Sequence, residues 1–104
     1  MKIVFGAFTD PEGNVAAGAT ASFVLSSPQN TSYATIVRER VQVVLDSDGA
    51  FNIELYGNDE FQTAGSWYTV SVVDTTFGRI YYADVQIIGN TPINFNELVP
   101  IYVK

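Results

Sequence analysis

The sequence contains neither cysteine nor histidine among its 104 residues. The absence of cysteine excludes disulfides, thiolate metal ligands and thiol nucleophiles, and the absence of histidine removes the commonest general base and zinc ligand. Carboxylates are the remaining catalytic candidates. Two pairs of acids lie close together in the sequence, Asp46 with Asp48 and Asp59 with Glu60. Neither pair is flanked by a second acid that could converge with it on a substrate. We therefore expect a protein that is not an enzyme and that uses no cofactor.

Basic residues and long apolar runs are also scarce. Five Lys and Arg stand against eleven Asp and Glu, for a net charge of −6, and only Arg38 and Arg40 lie close together. A surface that follows phosphates needs clustered cations, so nucleic acid is not an expected partner. No apolar run approaches the ~20 residues of a membrane span, and the N-terminus lacks the features of a signal peptide. We expect no membrane association.

Short runs of alternating apolar residues make up most of the sequence. Residues 19–25 and 67–74, for example, are apolar at every second position, and clusters of Gly, Pro, Asn and Asp separate such runs. The spacing of roughly ten residues, with no helical period, is typical of an antiparallel β-sandwich. We predict a single all-β domain over residues 1–104. It should be a sandwich of about seven strands with an immunoglobulin-like or transthyretin-like topology, with a small barrel as the alternative.

Residues 41–55 (VQVVLDSDGAFNIEL) carry the clearest pattern. Two alternating runs flank a turn in which Asp46 caps the backbone and Gly49 accepts a positive φ. The pattern predicts a β-hairpin with one apolar face. Upstream, we predict that residues 33–45 form one strand with a defect, because the parity of its valines turns Glu39 inward. A bulge or a sheet edge near Glu39 would resolve the conflict.

Three segments resemble the carboxypeptidase regulatory-like and transthyretin-like β-sandwich modules. They are residues 6–19 (GAFTDPEGNVAAGA), 46–53 (DSDGAFNI) and 64–70 (AGSWYTV). The Gly-Ser-x-Tyr-x-Val form of the third segment, together with residues 92–98 (PINFNEL), is similar to versions of this module in bacteriophage tail, fibre and capsid-associated proteins. The resemblance implies a scaffold without catalytic residues, on which function has to be argued separately from fold.

The resemblance therefore implies a non-enzymatic bacteriophage virion structural protein. It would be a capsid decoration or auxiliary protein, or a tail component, located in the virion and acting through contacts with other virion proteins. Two alternatives remain open: a carbohydrate-binding adhesion module that recognises a host-surface glycan, and a spacer domain of a bacterial surface protein.

Exposed aromatic residues are the first candidates for such contacts. Charged residues are only 15% of the chain and apolar residues 47%, so much of the surface has to be neutral or apolar. Trp67, Tyr56, Phe77 and one of Tyr81 and Tyr82 lie at strand positions whose parity points away from the core, and the contact residues predicted among them are Trp67, Tyr56 and Tyr82. Such rings stack on sugars or anchor protein interfaces, although cross-strand pairing on a sheet face is the simpler alternative.

The second candidate is the apolar run at residues 98–104 (LVPIYVK). Chain ends are normally polar and frayed unless something holds them. We expect this run to dock, either as a terminal edge strand of its own sandwich or as an arm that joins copies in a symmetric homo-oligomer. Pro100 favours an edge position. The predicted contact residues are Leu98, Ile101, Tyr102 and Val103.

Two weaker hypotheses concern polar residues. The acidic turn residues Asp10, Glu12, Asp46 and Asp48 could offer oxygen ligands to calcium if their turns share one end of the sandwich, but ordinary turn chemistry is favoured because the spacing falls short of an EF-hand. Lys2 with Asn94 or Asn96 resembles the partners of an isopeptide-linked surface-protein domain, although no partnering acid is evident.

Overall fold

The chain folds almost entirely into strands and turns. The computed structural model describes residues 1–36 and 39–103, within which there are ten strands and two 3₁₀-helices. The strands are β1 (Lys2–Ala7), β2 (Thr20–Leu25), β3 (Gln29–Asn30), β4 (Thr35–Ile36), β5 (Arg40–Val44), β6 (Ala50–Leu55), β7 (Tyr68–Asp74), β8 (Gly78–Val85), β9 (Ile93–Asn94) and β10 (Tyr102–Val103). The 3₁₀-helices are Asn58–Glu60 and Phe95–Glu97. Neither of these helices has the length and apolarity that a membrane crossing requires.

The strands form two main sheets that pack face to face. One sheet has five strands in the order β10-β8-β7-β2-β5, and the other has three in the order β6-β1-β9. Strands β3 and β4 form a separate antiparallel pair. Neighbouring strands are antiparallel throughout these sheets, except that β1 and β9 run parallel over two residue pairs. The predicted antiparallel β-sandwich is confirmed.

The core lies between the sheets and follows the alternation of the sequence. In β2 the buried residues are Ala21, Phe23 and Leu25, and in β7 they are Tyr68, Val70 and Val72. The facing residues from the smaller sheet include Phe51, Ile53 and Leu55 of β6. Because successive side chains of a strand point to opposite sides, the residues between these positions form the outer faces of the sheets.

Aromatic rings fill the half of the core nearest the turn after β1. The rings of Phe8, Phe23, Phe51, Tyr81 and Phe95 meet with centroid separations from 5.4 Å for Phe8 and Tyr81 to 6.0 Å for Phe51 and Phe95. Most of these pairs are tilted or edge-on, the arrangement that places the positive edge of one ring against the negative face of another. This cluster joins both sheets.

The predicted hairpin at residues 41–55 is wrong in one respect. The turn is present and the apolar residues point to the core, but β5 and β6 do not pair with each other. Strand β5 pairs with β2 in the five-stranded sheet, and β6 pairs with β1 in the three-stranded sheet. The segment is an arch that carries the chain from one sheet to the other. An arch and a hairpin have the same local pattern, because in both the two strands turn their apolar residues toward one core.

The predicted single strand over residues 33–45 is also wrong. Strand β4 ends at Ile36 and pairs with β3, whereas β5 begins at Arg40 and pairs with β2. Val37 and Arg38 lie outside the described residues. The inward direction predicted for Glu39 is confirmed, since its Oε2 lies 2.8 Å from the hydroxyl of Tyr68 and accepts a hydrogen bond from Tyr56 N at 3.2 Å. The sequence also predicted a bulge or a sheet edge near Glu39, and β5, which begins directly after Glu39, is an edge strand of the five-stranded sheet.

Candidate interaction surfaces

The predicted contact residues lie in three different places. Trp67 and Tyr82 lie on the outer face of the five-stranded sheet, and Tyr102 joins them because it pairs directly opposite Asp84 on β8. Ile101 and Val103 belong to residues 98–103, which we call the C-terminal segment. Tyr56 lies on the opposite side of the sandwich, directly after β6, which is an edge strand of the three-stranded sheet. The predicted contact residues therefore lie on two neighbouring surfaces, with Tyr56 separate from both.

The C-terminal segment combines a fixed backbone with exposed apolar side chains. Ile101 N donates to Asp84 O at 2.8 Å, and Tyr102 and Val103 pair with Asp84 and Ala83 of β8. At its start, Leu98 N donates to Phe95 O at 3.1 Å and the Leu98 side chain packs against the core. The segment is therefore held at both ends by its own domain.

The side chains beyond Leu98 are directed to solvent. Val99 is 86% exposed, Ile101 56%, Tyr102 62% and Val103 67%. Scattered exposed apolar residues are ordinary on a protein surface, but a contiguous group of this kind marks an interaction site. Together these four residues form an exposed apolar strip along the edge of the larger sheet, with Tyr102 and Val103 directed to opposite faces of that sheet.

The second surface is a shallow depression on the outer face of the five-stranded sheet, which we call the outer-face trough. It has a volume of about 450 Å³ and is lined mainly by Trp67, Thr69, Ser71, Arg79, Tyr82 and Asp84. These residues come from β7, β8 and the position directly before β7. Alternation places them outward because their neighbours Tyr68, Val70 and Ala83 are buried.

Specific contacts fix the side chains of the trough. Thr69 Oγ1 donates to Asp84 Oδ1 at 2.8 Å, across the β7–β8 pair. The guanidinium of Arg79 lies 4.1 Å from the centroid of the Tyr82 ring, a cation–π contact. Arg79 was not among the predicted site residues. Simple alternation along β8 does not predict the outward direction of Arg79, because a β-bulge between Val72 and Val73 of β7 shifts the pairing register next to Arg79.

The Tyr56 side chain is more buried than strand parity predicts. Its side chain is half-buried, packs against the core, and its ring lies 6.2 Å from the Phe61 ring. Its carbonyl oxygen is 2.7 Å from the Tyr68 hydroxyl, which also lies beside Glu39. Burial first, and then the hydrogen bond and negative charge of Glu39, raise the pKa of Tyr68 well above its ordinary range. This cluster closes one end of the sandwich.

The calcium candidates are engaged in turn chemistry. Both turns do lie at the same end of the sandwich, since Phe8 N donates to Gly49 O at 3.0 Å. Asp10 Oδ1 accepts from Glu12 N and Asn14 N, and Asp46 Oδ1 accepts from Asp48 N and Ala50 N. Across residues 1–36 and 39–103 there is no group of three or more acidic residues positioned to hold a metal ion.

The structure does not bring Lys2 to either asparagine. Lys2 Nζ lies 3.1 Å from Asp59 Oδ1 and also donates to Gly89 O. Burial alone would raise the pKa of Asp59, but hydrogen bonds from Gly89 and Lys2, with the charge of Lys2, lower it. Asn96 instead forms paired hydrogen bonds with the backbone of Ala7, both at 2.9 Å. Lys2 and Asp59 form an ordinary ion pair.

Two exposed aromatic residues escaped the sequence prediction. Tyr33 is 96% exposed at the tip of the β3–β4 pair, where its neighbours Thr31 and Ala34 close a tight turn. Phe5 is 37% exposed in the centre of the three-stranded sheet, on its outer face between Asn52 and Asn94. Tyr33 falls in a region predicted as strand, and Phe5 in a strand with apolar residues on both faces.

Comparison with known proteins gives no independent guide to these surfaces. A scan against protein-family models and a search of curated proteins each found no match to the chain.

Proposed function

We propose that this protein is a non-enzymatic structural protein of a bacteriophage virion, either a capsid decoration or auxiliary protein or a tail component. It acts through protein–protein contacts made by the C-terminal segment. The observation that carries the proposal is the exposure of Val99, Ile101, Tyr102 and Val103 on a backbone that hydrogen bonds to β8 hold in place. The assignment to a virion is supported by the resemblance of residues 64–70 and 92–98 to the virion versions of the module.

The fixed backbone of the C-terminal segment favours binding for an energetic reason. A segment that is ordered before binding loses less conformational entropy when a partner covers it. Tyr102 and its aliphatic neighbours are residues of the types that supply apolar area at interface centres, while charged residues are depleted there. Residues 98–103 contain no charged residue. The strip therefore suits a partner surface that is itself apolar, such as another virion protein.

The position of the strip at a sheet edge also suits contact between copies of the chain. Strand β10 has one neighbour, β8, within the described chain, so its other side faces outward. A self-complementary contact at such an edge generates a closed symmetric oligomer. We infer that copies of the chain meet around a symmetry axis through this strip, as part of the same virion role.

Two exposed valines provide a matched test. Val103 is 67% exposed in β10 and Val44 is 64% exposed in β5, at opposite edges of the same sheet. We expect Val103→Asp to abolish self-association, because it places a charge in an apolar contact, and Val44→Asp to leave self-association intact. Sedimentation velocity over a concentration series measures both.

Thermal melts provide the control for folding. Substitutions at exposed positions usually change stability by no more than about 0.5 kcal/mol, so both variants should melt close to the wild type. A wild-type chain that remains monomeric at every concentration would contradict the self-contact. Equal association of the two variants would show that the contact lies elsewhere.

A further inference from the structure

The outer-face trough lies beside the C-terminal segment but has a different chemical character. We propose that the trough binds a neutral oligosaccharide. In this arrangement the indole of Trp67 is the platform on which a sugar ring stacks, and the hydroxyls of Thr69 and Ser71 supply hydrogen bonds to the sugar.

Trp67 is an exposed aromatic residue on a fixed backbone. Its side chain is 39% exposed at the rim of the trough. Its backbone is held on both sides by one residue, since Ser26 N donates to Trp67 O at 2.9 Å and Trp67 N donates to Ser26 Oγ at 3.1 Å. The next residue, Tyr68, is fully buried. An exposed indole on a fixed backbone supplies apolar area on which the C–H face of a sugar ring can stack.

The lining of the trough fits a polyhydroxylated ligand better than a protein. Thr69, Ser71 and Asp84 place hydroxyl and carboxylate oxygens on its floor, and Arg79 adds donors at one side. Protein interfaces are depleted of charged residues at their centres, whereas ligand sites combine an apolar platform with a few placed polar groups.

The charges around the trough favour an uncharged sugar. The described residues that line it include one cation, Arg79, and one anion, Asp84. The guanidinium of Arg79 lies over the Tyr82 ring, and Asp84 accepts a hydrogen bond from Thr69. Because Arg79 covers one face of Tyr82, the remaining aromatic platform is Trp67.

The single tryptophan of the chain makes the site directly measurable. Maltohexaose, cellohexaose and laminarihexaose serve as first probes, and a printed array of bacterial surface glycans extends the search. We expect a neutral glycan to bind, and to change the Trp67 emission saturably on titration. By calorimetry with that glycan, Trp67→Ala should weaken binding at least about tenfold. Tyr33→Ala is the matched control, because Tyr33 is 96% exposed outside the trough, and it should bind as the wild type does.

Three results would overturn the proposal. The first is no bound glycan on the array together with no change in emission by the three hexasaccharides. The second is binding confined to charged glycans. The third is equal binding by the wild type and Trp67→Ala. Val103→Asp separates this site from the proposed protein contact, because a variant that no longer assembles should still bind the glycan.

Discussion

At the scale of single residues, the arch between the sheets depends on Gly49. Its φ of 71° lies in the left-handed region that side chains disfavour. A Cβ atom at this position would also lie 2.7 Å from Phe8 O and 2.9 Å from Ala16 N. Gly49 therefore meets two requirements at once, a positive φ and a close approach to the backbone of the loop that follows β1. The sequence predicted the first requirement and gave no sign of the second.

Gly13 allows these two requirements to be measured separately. Its φ is 84°, but a Cβ atom there would meet nothing within 4 Å. We expect Gly13→Ala to cost about 1–2 kcal/mol, from the backbone conformation alone. Gly49→Ala should cost about 1–3 kcal/mol more, since it adds overpacking. Urea denaturation of the two variants gives the difference. Equal losses would show that the backbone of Phe8 moves away without cost.

Tyr68 supplies a pH dependence at the alkaline end. Its folded-state pKa is raised above the ordinary tyrosine value of about 10. Below pH 10 the hydroxyl is protonated in both states, so its full contribution to stability is present. As the pH rises through about 10 and above, the unfolded chain loses the proton first, and stability falls. Burial raises the pKa of Tyr81 also, and that residue acts in the same direction.

The variant Tyr68→Phe tests this contribution. Near neutral pH it should cost about 1–3 kcal/mol, because Glu39 and the Tyr56 carbonyl lose a buried hydrogen-bonding partner. Its stability should then fall less steeply than that of the wild type as the pH rises above about 10. Urea denaturation at a series of pH values measures both effects. Parallel curves for the two proteins would exclude Tyr68 as the source.

At the scale of elements, the sequence predicted which face of each strand is buried better than it predicted which strands pair. The buried positions of β2, β6 and β7 follow from alternation, because each strand turns every second residue toward the core. The partner of a strand is a non-local property, and local alternation does not encode it. Residues 41–55 show this directly, since the turn and the apolar faces were predicted and the pairing was not.

Cross-strand contacts in solution test the arch. Nuclear Overhauser effects should connect the backbone of β6 to β1, for example Asn52 to Phe5, and that of β5 to β2, for example Gln42 to Ser22. The backbones of Val43 and Ile53 should show none, because these residues lie in different sheets. A ladder of contacts between β5 and β6 would restore the hairpin and contradict the topology.

At the scale of the whole molecule, the surfaces depend on how strand ends and loops are placed. Parity predicted an outward position for Trp67 and for one of Tyr81 and Tyr82, and the outward residue is Tyr82. It failed for Tyr56, because Phe61, from the loop that follows β6, covers that ring. It also missed Tyr33, which the short β3–β4 pair presents to solvent. The paths of these connections are set by tertiary contacts, for example Gln62 N to Asn30 O at 2.8 Å, which no periodicity specifies.

The molecule measures 43 × 24 × 21 Å, and its two proposed sites both involve the five-stranded sheet. The apolar strip lies at the β10 edge of that sheet, and the outer-face trough lies on its outer face. Tyr102 of the strip pairs opposite Asp84, which lines the trough, so the two proposed sites adjoin on the outer face. The variants Val103→Asp and Trp67→Ala test them separately.

Quantitative mass spectrometry of density-purified phage particles, prepared from a lysate that contains this chain, tests the proposed virion role. The chain should be present in the particles at a fixed ratio to the major capsid protein, and should remain through repeated purification. Particles that carry Val103→Asp should lose it, whereas those that carry Val44→Asp should retain it. A chain that is abundant in the infected cell and absent from the purified particles would contradict the account.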